Sequence, residues 1–378
     1  MATTSALTRT RPPFRADEVG SLLRPAALHD ARRKHEAGEL DHAGLRAVED
    51  QAIRDAVALQ KEAGLQVATD GEFRRAFWNN DFMWALGGVE REDHNPVNVH
   101  FRNSEGDVSF AAPGARVVAP ITLPETIFAE HFTFLKSIVG PDVTPKITIP
   151  SPSQLFRAGR KLVPESVYPN IDDFWNDVAE AYRAQVKGLY ELGCRYLQID
   201  DTAIVLLCDP ERRNEIVRDG DDPDDMARRF VKTINSIIGD RPDDLAVTIH
   251  TCRGNHASAW QASGGYEPIA EVLLGDCKVD GFFMEWETDR AGNFKPLRHL
   301  PPGKQVVLGL ISSKVAALES KDDIKRRIEE AAQYCPLEQL SISPQCGFAS
   351  TEQGNNLTVD DERAKLSLAV EVAHEVWG

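Results

Sequence analysis

A chain of 378 residues, 42% of them hydrophobic, carries enough apolar material for a large core. It contains no run of eighteen apolar residues, and its start, MATTSALTRTRPPFRADE, lacks the apolar centre of a secretory signal. No membrane span or export is therefore expected, and the cytoplasm is the expected location. A net charge of −16, spread along the chain, repels nucleic acid and anionic lipid, so neither is an expected partner.

Apolar runs alternate with helical patterns from end to end. Strands are expected at 16–21, 65–70, 145–150, 194–200, 245–250, 279–285, 304–310 and 338–343. A long helical region, 26–62, follows the first strand, and further helices are expected at 173–192 and 320–334, the latter opened by Ser320. Residues 96–122 alternate with period two around Asn-Ser-Glu-Gly, which predicts a β-hairpin. The acidic run DGDDPDD at 219–225 does not fit calcium-loop spacing and reads as a solvated loop capping the next helix. Eight strands with helical crossovers make an α/β fold, a (β/α)8 TIM barrel with a helical insertion after strand 1 and a β-hairpin insertion before strand 3. A doubly wound sheet is the alternative, but it supplies no reason for eight strands. Without repeats, low-complexity tracts or linkers, residues 1–378 read as a single barrel domain.

In such a barrel the C-terminal strand ends share one mouth, so polar residues there carry the chemistry. LAVTIHTCRGN ends a strand in His250 and Cys252, which at spacing i, i+2 point the same way. His-x-Cys alone is commonly a packing pair, and it gains weight only if other ligands reach the same mouth. Glu285 ends the sixth strand and Cys346 follows the eighth, and four such donors suit a tetrahedral zinc ion. Glu287 shares the face of Glu285 and competes with it. Cys194, Cys208, Cys277 and Cys335 fall at strand starts, helices or loops and read as packing thiols, and the irregular spacing of all six cysteines argues against disulfides. Glu72 and Asp200, at the second and fourth strand ends, could accept a substrate ammonium group, leaving Ser21 and backbone amides for a carboxylate. Asp201 is expected to pair with Arg74 or Arg75.

The segments VGS at 19–21, DGEFRR at 70–75, QIDD at 198–201, HTC at 250–252, DGFFME at 280–285 and SPQCGF at 343–348 resemble the catalytic domain of cobalamin-independent methionine synthase, especially its short single-domain relatives. The resemblance implies zinc held by His250, Cys252, Glu285 and Cys346, favouring Glu285 over Glu287. It also implies that Glu72 and Asp200 bind the amino group of homocysteine, and Val-Gly-Ser, with Ser21, its carboxylate. The departures fall on the methyl-donor side. Leu206 replaces a folate-contacting glutamate, Pro152 lies near the position of a pterin-stacking tryptophan, and Lys314 stands where the family has a general-acid histidine.

The resemblance thus implies a zinc-dependent thiol S-methyltransferase taking a small-molecule thiol, foremost homocysteine, and a methyl or alkyl donor. Zinc makes a thiolate available near neutral pH, and Lys314 could protonate the leaving group or hold an anionic donor. A second candidate is a zinc thiol alkyltransferase such as epoxyalkane:coenzyme M transferase, with Arg24, Arg74 and Arg75 available for a sulfonate. A third is a non-enzymatic, metal-storing barrel.

Overall fold

The structure, a computed structural model, describes residues 9–103 and 106–378, with the backbone alone described at 94–98 and 110. An extended segment around Ala16 leads into helices α1 (Ala26–Glu36) and α2 (His42–Glu62), strand β1 (Val67–Ala68) and helix α3 (Asn80–Ala85). An antiparallel pair, β2 (Gly87–Asn103) and β3 (Gly106–Thr122), precedes α4 (Ala129–Ile138), β4 (Thr144–Pro145) and β5 (Ile147–Pro150). Next come α5 (Ile171–Glu191), β6 (Tyr196–Asp201), α6 (Ala203–Leu206), α7 (Pro210–Arg218), α8 (Pro223–Ile238) and β7 (Ala246–Thr251). The chain ends with β8 (Gly281–Glu285), β9 (Gln305–Ile311), α9 (Lys321–Ala331), β10 (Leu340–Pro344) and α10 (Val359–Trp377).

Strands β5 to β10 form one parallel sheet in which each strand lies beside its neighbour in sequence. β1 pairs in parallel with β4, and Lys146 N donates to Ala68 O at 2.9 Å, which carries the pairing towards β5. At the other edge Ala16 bridges in parallel to Ile342 of β10. Thr69 Oγ1 donates to Gly20 O at 2.6 Å and Leu22 N to Gly71 O at 3.1 Å, tying the first segment to the end of β1.

Two expected strands are much shorter than their sequences suggest. At 16–21 the Asp17 carboxylate accepts from Phe14 N at 3.0 Å and Glu18 N at 2.9 Å, a local alternative to ladder pairing. At 65–70 the Gln60 side chain engages both backbone groups of Thr69, accepting from its N–H at 2.9 Å and donating to its C=O at 3.0 Å. Strand β1 stops at Ala68 for that reason. The hairpin is longer than expected, starting at Gly87, with a register shift between Glu92 and Val97. Ser104 and Glu105 of its expected turn lie outside the described residues.

Burial along β6 to β10 is complete except at Ala246, the first residue of β7, as parallel strands covered on both faces require. One set of alternating positions, including Leu197, Ile199, Val247, Ile249, Phe282 and Met284, joins the main core against α5 and α8. The intervening set, Gln198, Asp200, Thr248, His250 and Glu285, is buried and polar. Chemistry is therefore gathered on one face by period-two alternation.

The helices follow their end signals. Asn170 caps α5, whose Phe174, Val178, Tyr182 and Leu189 enter the core, each contributing roughly 1.5–3 kcal/mol. Asp222 caps α8 by accepting from Asp224 N and Asp225 N, with Pro223 at the first turn, as the acidic run suggested. Ser320 occupies the N-cap position of α9 without a capping hydrogen bond, whereas Thr358 and Asp361 form a full capping box on α10. No helix among the described residues is long and apolar enough to cross a membrane.

Candidate active site

Asp200 of β6 lies in register with His250 of β7, so their side chains leave the same face of adjacent strands. Beyond the end of β7, Cys252 N donates to Asp201 O at 3.1 Å, fixing where its thiol points. Cys252 Sγ lies 2.8 Å from Cys346 Sγ, and Cys346 Sγ lies 3.7 Å from His250 Nε2. The ligand atoms of His250, Cys252 and Cys346 are all within 4.8 Å of one another. Glu285 joins through the thiols, its Oε1 3.0 Å from Cys346 Sγ and 3.9 Å from Cys252 Sγ.

Two glycines permit this convergence. A Cβ on Gly309 would meet Gln345 Cα at 2.8 Å, beside Glu285 Cα at 3.4 Å, so only glycine lets β8 and the turn after β10 close in. A Cβ on Gly347 would meet Ser21 Oγ at 2.0 Å, so this glycine admits the Ser21 hydroxyl.

Glu285 is positioned from behind. Arg253 N donates to its Oε2 at 3.1 Å, Gln345 Nε2 to its Oε1 at 3.3 Å, and its own N–H to Tyr266 Oη at 2.9 Å. Arg253 is saturated by Gly264 O and Tyr266 Oη and stacks on the Tyr266 ring. Burial opposes ionisation of Glu285, yet Lys314, Arg290 and Arg253 outweigh it and hold its carboxyl below the usual range. Glu287 pairs instead with Arg290, and burial plus the Glu285 charge push it up to about 6.

The thiols behave as a coupled pair. The hydrogen bond from Cys346 holds Cys252 well below the ordinary thiol value, with His250 adding to it. Burial, then the Cys252 thiolate, pushes Cys346 well above that value. Beside the ionised Glu285 one thiolate is favoured here, and a second requires a cation. The donor set fits a divalent ion of zinc type. Tetrahedral sharing calls for about 3.6 Å between sulfur and nitrogen ligands, close to the His250–Cys346 distance, and about 3.8 Å between two sulfurs, so the thiols must part by about 1 Å. His250 Nδ1 is buried without a hydrogen-bond partner. Burial opposes protonation of His250, but its bond to Cys252 and the charges of Cys252, Asp200 and Glu285 raise its pKa.

A cavity of about 190 Å³ adjoins these groups, and Ser21, Glu72, Asp200, His250 and Cys252 all line it. Glu72 sits at φ 61° after Gly71 at φ 65°, a left-handed turn that for a non-glycine costs on the order of 1–3 kcal/mol. Its N–H donates to Asp70 Oδ1 at 2.9 Å and its Oε1 accepts from Thr148 Oγ1 at 2.6 Å, while its buried Oε2 has no partner. Burial raises Asp200 to about 7, the Glu72 charge adding to that effect and His250 and Gln198 opposing it.

Other expected roles are corrected. Asp201 pairs with neither Arg74 nor Arg75: it accepts from Ser153 Oγ at 2.7 Å and from Ile204 N, in the first turn of α6, at 2.8 Å. Arg24 donates to the carbonyls of Ala349, Thr351, Glu72 and Arg75, and Arg74 turns to Asp50 and Glu49. Arg75 is held by Thr148 Oγ1 and O, both at 3.0 Å. None of the three lines the cavity. Lys314 is buried, its Nζ donating to Asn255 Oδ1 at 3.2 Å, and it is Asn255 that reaches the cavity. Leu206 and Pro152 are buried away from the cavity lining. Cys194, Cys208, Cys277 and Cys335 are buried thiols raised by desolvation, the behaviour of packing residues.

Sequence reading missed the rest of the wall: Phe77, Trp78, Leu155, Arg157 and Asn255, together with Phe101 and Ala112–Ala115 of the hairpin. The hairpin is held over the site by Trp84 Nε1 donating to Gly114 O at 2.9 Å and by a backbone bridge between Arg102 and Trp260. Its alternation was visible in the sequence, but its contacts were not.

Comparison with known proteins places the chain in a family. The model of the cobalamin-independent synthase catalytic domain matches residues 14–375. The uncharacterized protein YxjG of Bacillus subtilis is 46% identical over 374 residues, covering 98% of this chain and 97% of that protein. A methionine synthase of Saccharolobus solfataricus is 26% identical over 333 residues, covering 87% of this chain and 86% of that one. The crystal structure of a candidate vitamin-B12-independent methionine synthase from Listeria monocytogenes superposes with a TM-score of 0.77 at 36% identity, covering 98% of this chain and 100% of that one. The chain belongs to the cobalamin-independent synthase catalytic-domain family.

Proposed function

We propose that the protein is a zinc-dependent thiol S-methyltransferase that methylates homocysteine to methionine. We further infer that residues 1–378 make one (β/α)8 barrel, with α1–α2 and the β2–β3 hairpin as its insertions. The six free cysteines agree with a cytoplasmic location. The observation that carries the function is the convergence of His250, Cys252 and Cys346 within 4.8 Å, with Glu285 in contact with both thiols.

His250, Cys252, Glu285 and Cys346 would hold the zinc ion, which when bound supplies a site where a substrate thiol loses its proton and stays nucleophilic. The remaining work falls to the chain. Glu72, through its unpartnered Oε2, and Asp200 accept the ammonium group of homocysteine, while Ser21 and nearby amides take its carboxylate. Phe77, Trp78 and the hairpin exclude water, which strengthens each of these charge contacts. Lys314 acts through Asn255 on the donor side, where its charge aids departure of the leaving group. The coenzyme M alternative relied on Arg24, Arg74 or Arg75, all engaged elsewhere.

The test is metal analysis coupled to thiol binding. Purified protein should carry about one zinc per chain, with proton release on adding homocysteine, as one ligand set binds one metal ion. Cys252→Ser and Cys346→Ser should lose most of the metal, and Cys277→Ser should keep it. Zinc retained in both ligand variants overturns the assignment.

A further inference from the structure

Arg157 is the one arginine or lysine lining the cavity among the described residues. Its side chain has no hydrogen bond, ion pair or ring partner among the described residues; only its carbonyl is used, accepting from Arg212 Nη2 at 3.2 Å. Arg212 itself is neutralised by Glu215 at 2.7 Å, so no carboxylate serves Arg157. Burial lowers the Arg157 pKa and the nearby Arg212 charge lowers it further, while no acid raises it. In a chain of net charge −16, a cavity-lining arginine whose guanidinium has no counter-ion is the exception that needs a reason.

The same cavity holds a second, opposite pole. Glu72 and Asp200 line it, yet neither is among the charges that act on Arg157. The Glu72 carboxylate meets Arg75 through Oε1 at 3.5 Å but keeps Oε2 free. The cavity thus offers one open carboxylate oxygen and one open guanidinium, which suit two substrates, one bearing an ammonium group and one bearing an anion. Between these charges the lining is apolar, with Phe77, Trp78, Met83 and Leu155 offering surface for an uncharged body. Arg24, Arg74 and Arg75 are each consumed by protein groups, which leaves Arg157 as the anion receptor.

We propose that Arg157 anchors the methyl donor by an oxyanion, a carboxylate or a phosphate-type group, while the apolar wall holds the donor's body. A guanidinium presents paired N–H donors matched to two oxygens of such a group. This rests on the thiol transferase reading, but the anion site can be measured separately from it.

The probes are 4-phenylbutyrate and 4-phenylbutanamide, alike in shape and differing in charge, with phenylphosphonate as the phosphate-type arm. Affinity is read by calorimetry on the zinc-loaded protein. The expected result is about tenfold or tighter binding of the carboxylate over the amide in the wild type, lost in Arg157→Gln and partly kept in Arg157→Lys. The preferred oxyanion class is whichever of the carboxylate and phosphonate loses more affinity in Arg157→Gln. Zinc content and homocysteine affinity should stay at wild-type values in both variants, which also shows that they fold. A wild type that binds neither the carboxylate nor the phosphonate better than the amide, whether all bind or none does, overturns the proposal. So does an Arg157→Gln protein whose homocysteine affinity falls, because the guanidinium would then serve the thiol substrate. Probe binding needs no homocysteine, so absence of methyl transfer would refute the proposed function and leave this result standing.

Discussion

Glu72→Gln tests the amino-acid specificity of the site. In the wild type, Glu72 Oε1 is occupied by Thr148 Oγ1, so Oε2 is the atom left for a substrate ammonium group. Glutamine keeps an acceptor for Thr148 and replaces Oε2 by a donor, which removes one charge-assisted hydrogen bond. The loss is about 1.5–3 kcal/mol, or about ten- to a hundredfold in homocysteine affinity. Glutamine also removes the 3.5 Å ion pair between Glu72 Oε1 and Arg75, but Arg75 retains both contacts to Thr148 at 3.0 Å, so the fold should survive with some loss of stability. A second effect has a definite sign. Burial raises Asp200 to about 7 and the Glu72 charge adds to this, so wild-type homocysteine binding strengthens as pH rises through that value and Asp200 ionises. With Glu72 neutral, Asp200 titrates lower and the rise moves to lower pH. The assay is affinity of the zinc-loaded protein for homocysteine and for 3-mercaptopropionate, which lacks the amino group, across this pH range. Equal loss for both thiols, or no loss for either, refutes the ammonium site.

Leu206 and Pro152 are buried outside the cavity lining, so methyltetrahydrofolate should show weak or no saturation as donor, and tight saturable turnover with it would refute that reading. Glu362 of α10 accepts from Leu23 N at 2.7 Å, and burial raises it to about 8, above an unfolded value of about 4.3. The folded state therefore holds an extra proton between these values, and this group's contribution to stability falls as pH rises through that window. Glu362→Gln keeps an acceptor for Leu23 and should melt higher than wild type at alkaline pH, with the difference vanishing in acid. A melting-temperature gap that does not widen with pH would contradict this.

The strand ends were legible because β6 to β10 are apolar runs that stop in polar residues, and period two fixes their shared face. The positions of His250 and Asp200 followed from that alone, whereas their roles took the other strand ends and the family resemblance. Cys346 and Glu285 were legible as donors at strand ends, but choosing Glu285 over Glu287 took a family spacing, since both glutamates share a face. The structure separates them by partner, Arg253 N for one and Arg290 for the other. The short strand β1 was hidden because the group that ends it, Gln60, belongs to the preceding helix. The arginines were misread for a related reason. Arg24 finds carbonyls at Ala349 and Thr351, some 325 positions away, and nothing near it in sequence announces them.

What separates structural charges from substrate-facing ones is saturation. Arg24 and Arg75, which the sequence offered to an anionic substrate, already have partners for their charge, as do Arg253 and Asp201. The Arg157 guanidinium has none, and the Glu72 carboxylate, met by Arg75 and Thr148 through Oε1, leaves Oε2 without one. Leaving a charge unpaired under a hydrophobic cover is costly, so such groups persist where a ligand completes them. The hairpin adds to that cost because Phe101 and Ala112–Ala115 close off the cavity. It also raises the gain on binding, since the same low-dielectric cover strengthens the contact once the ligand is present. Loosening the hairpin should therefore weaken both charge poles together, whereas changing Glu72 or Arg157 should weaken one.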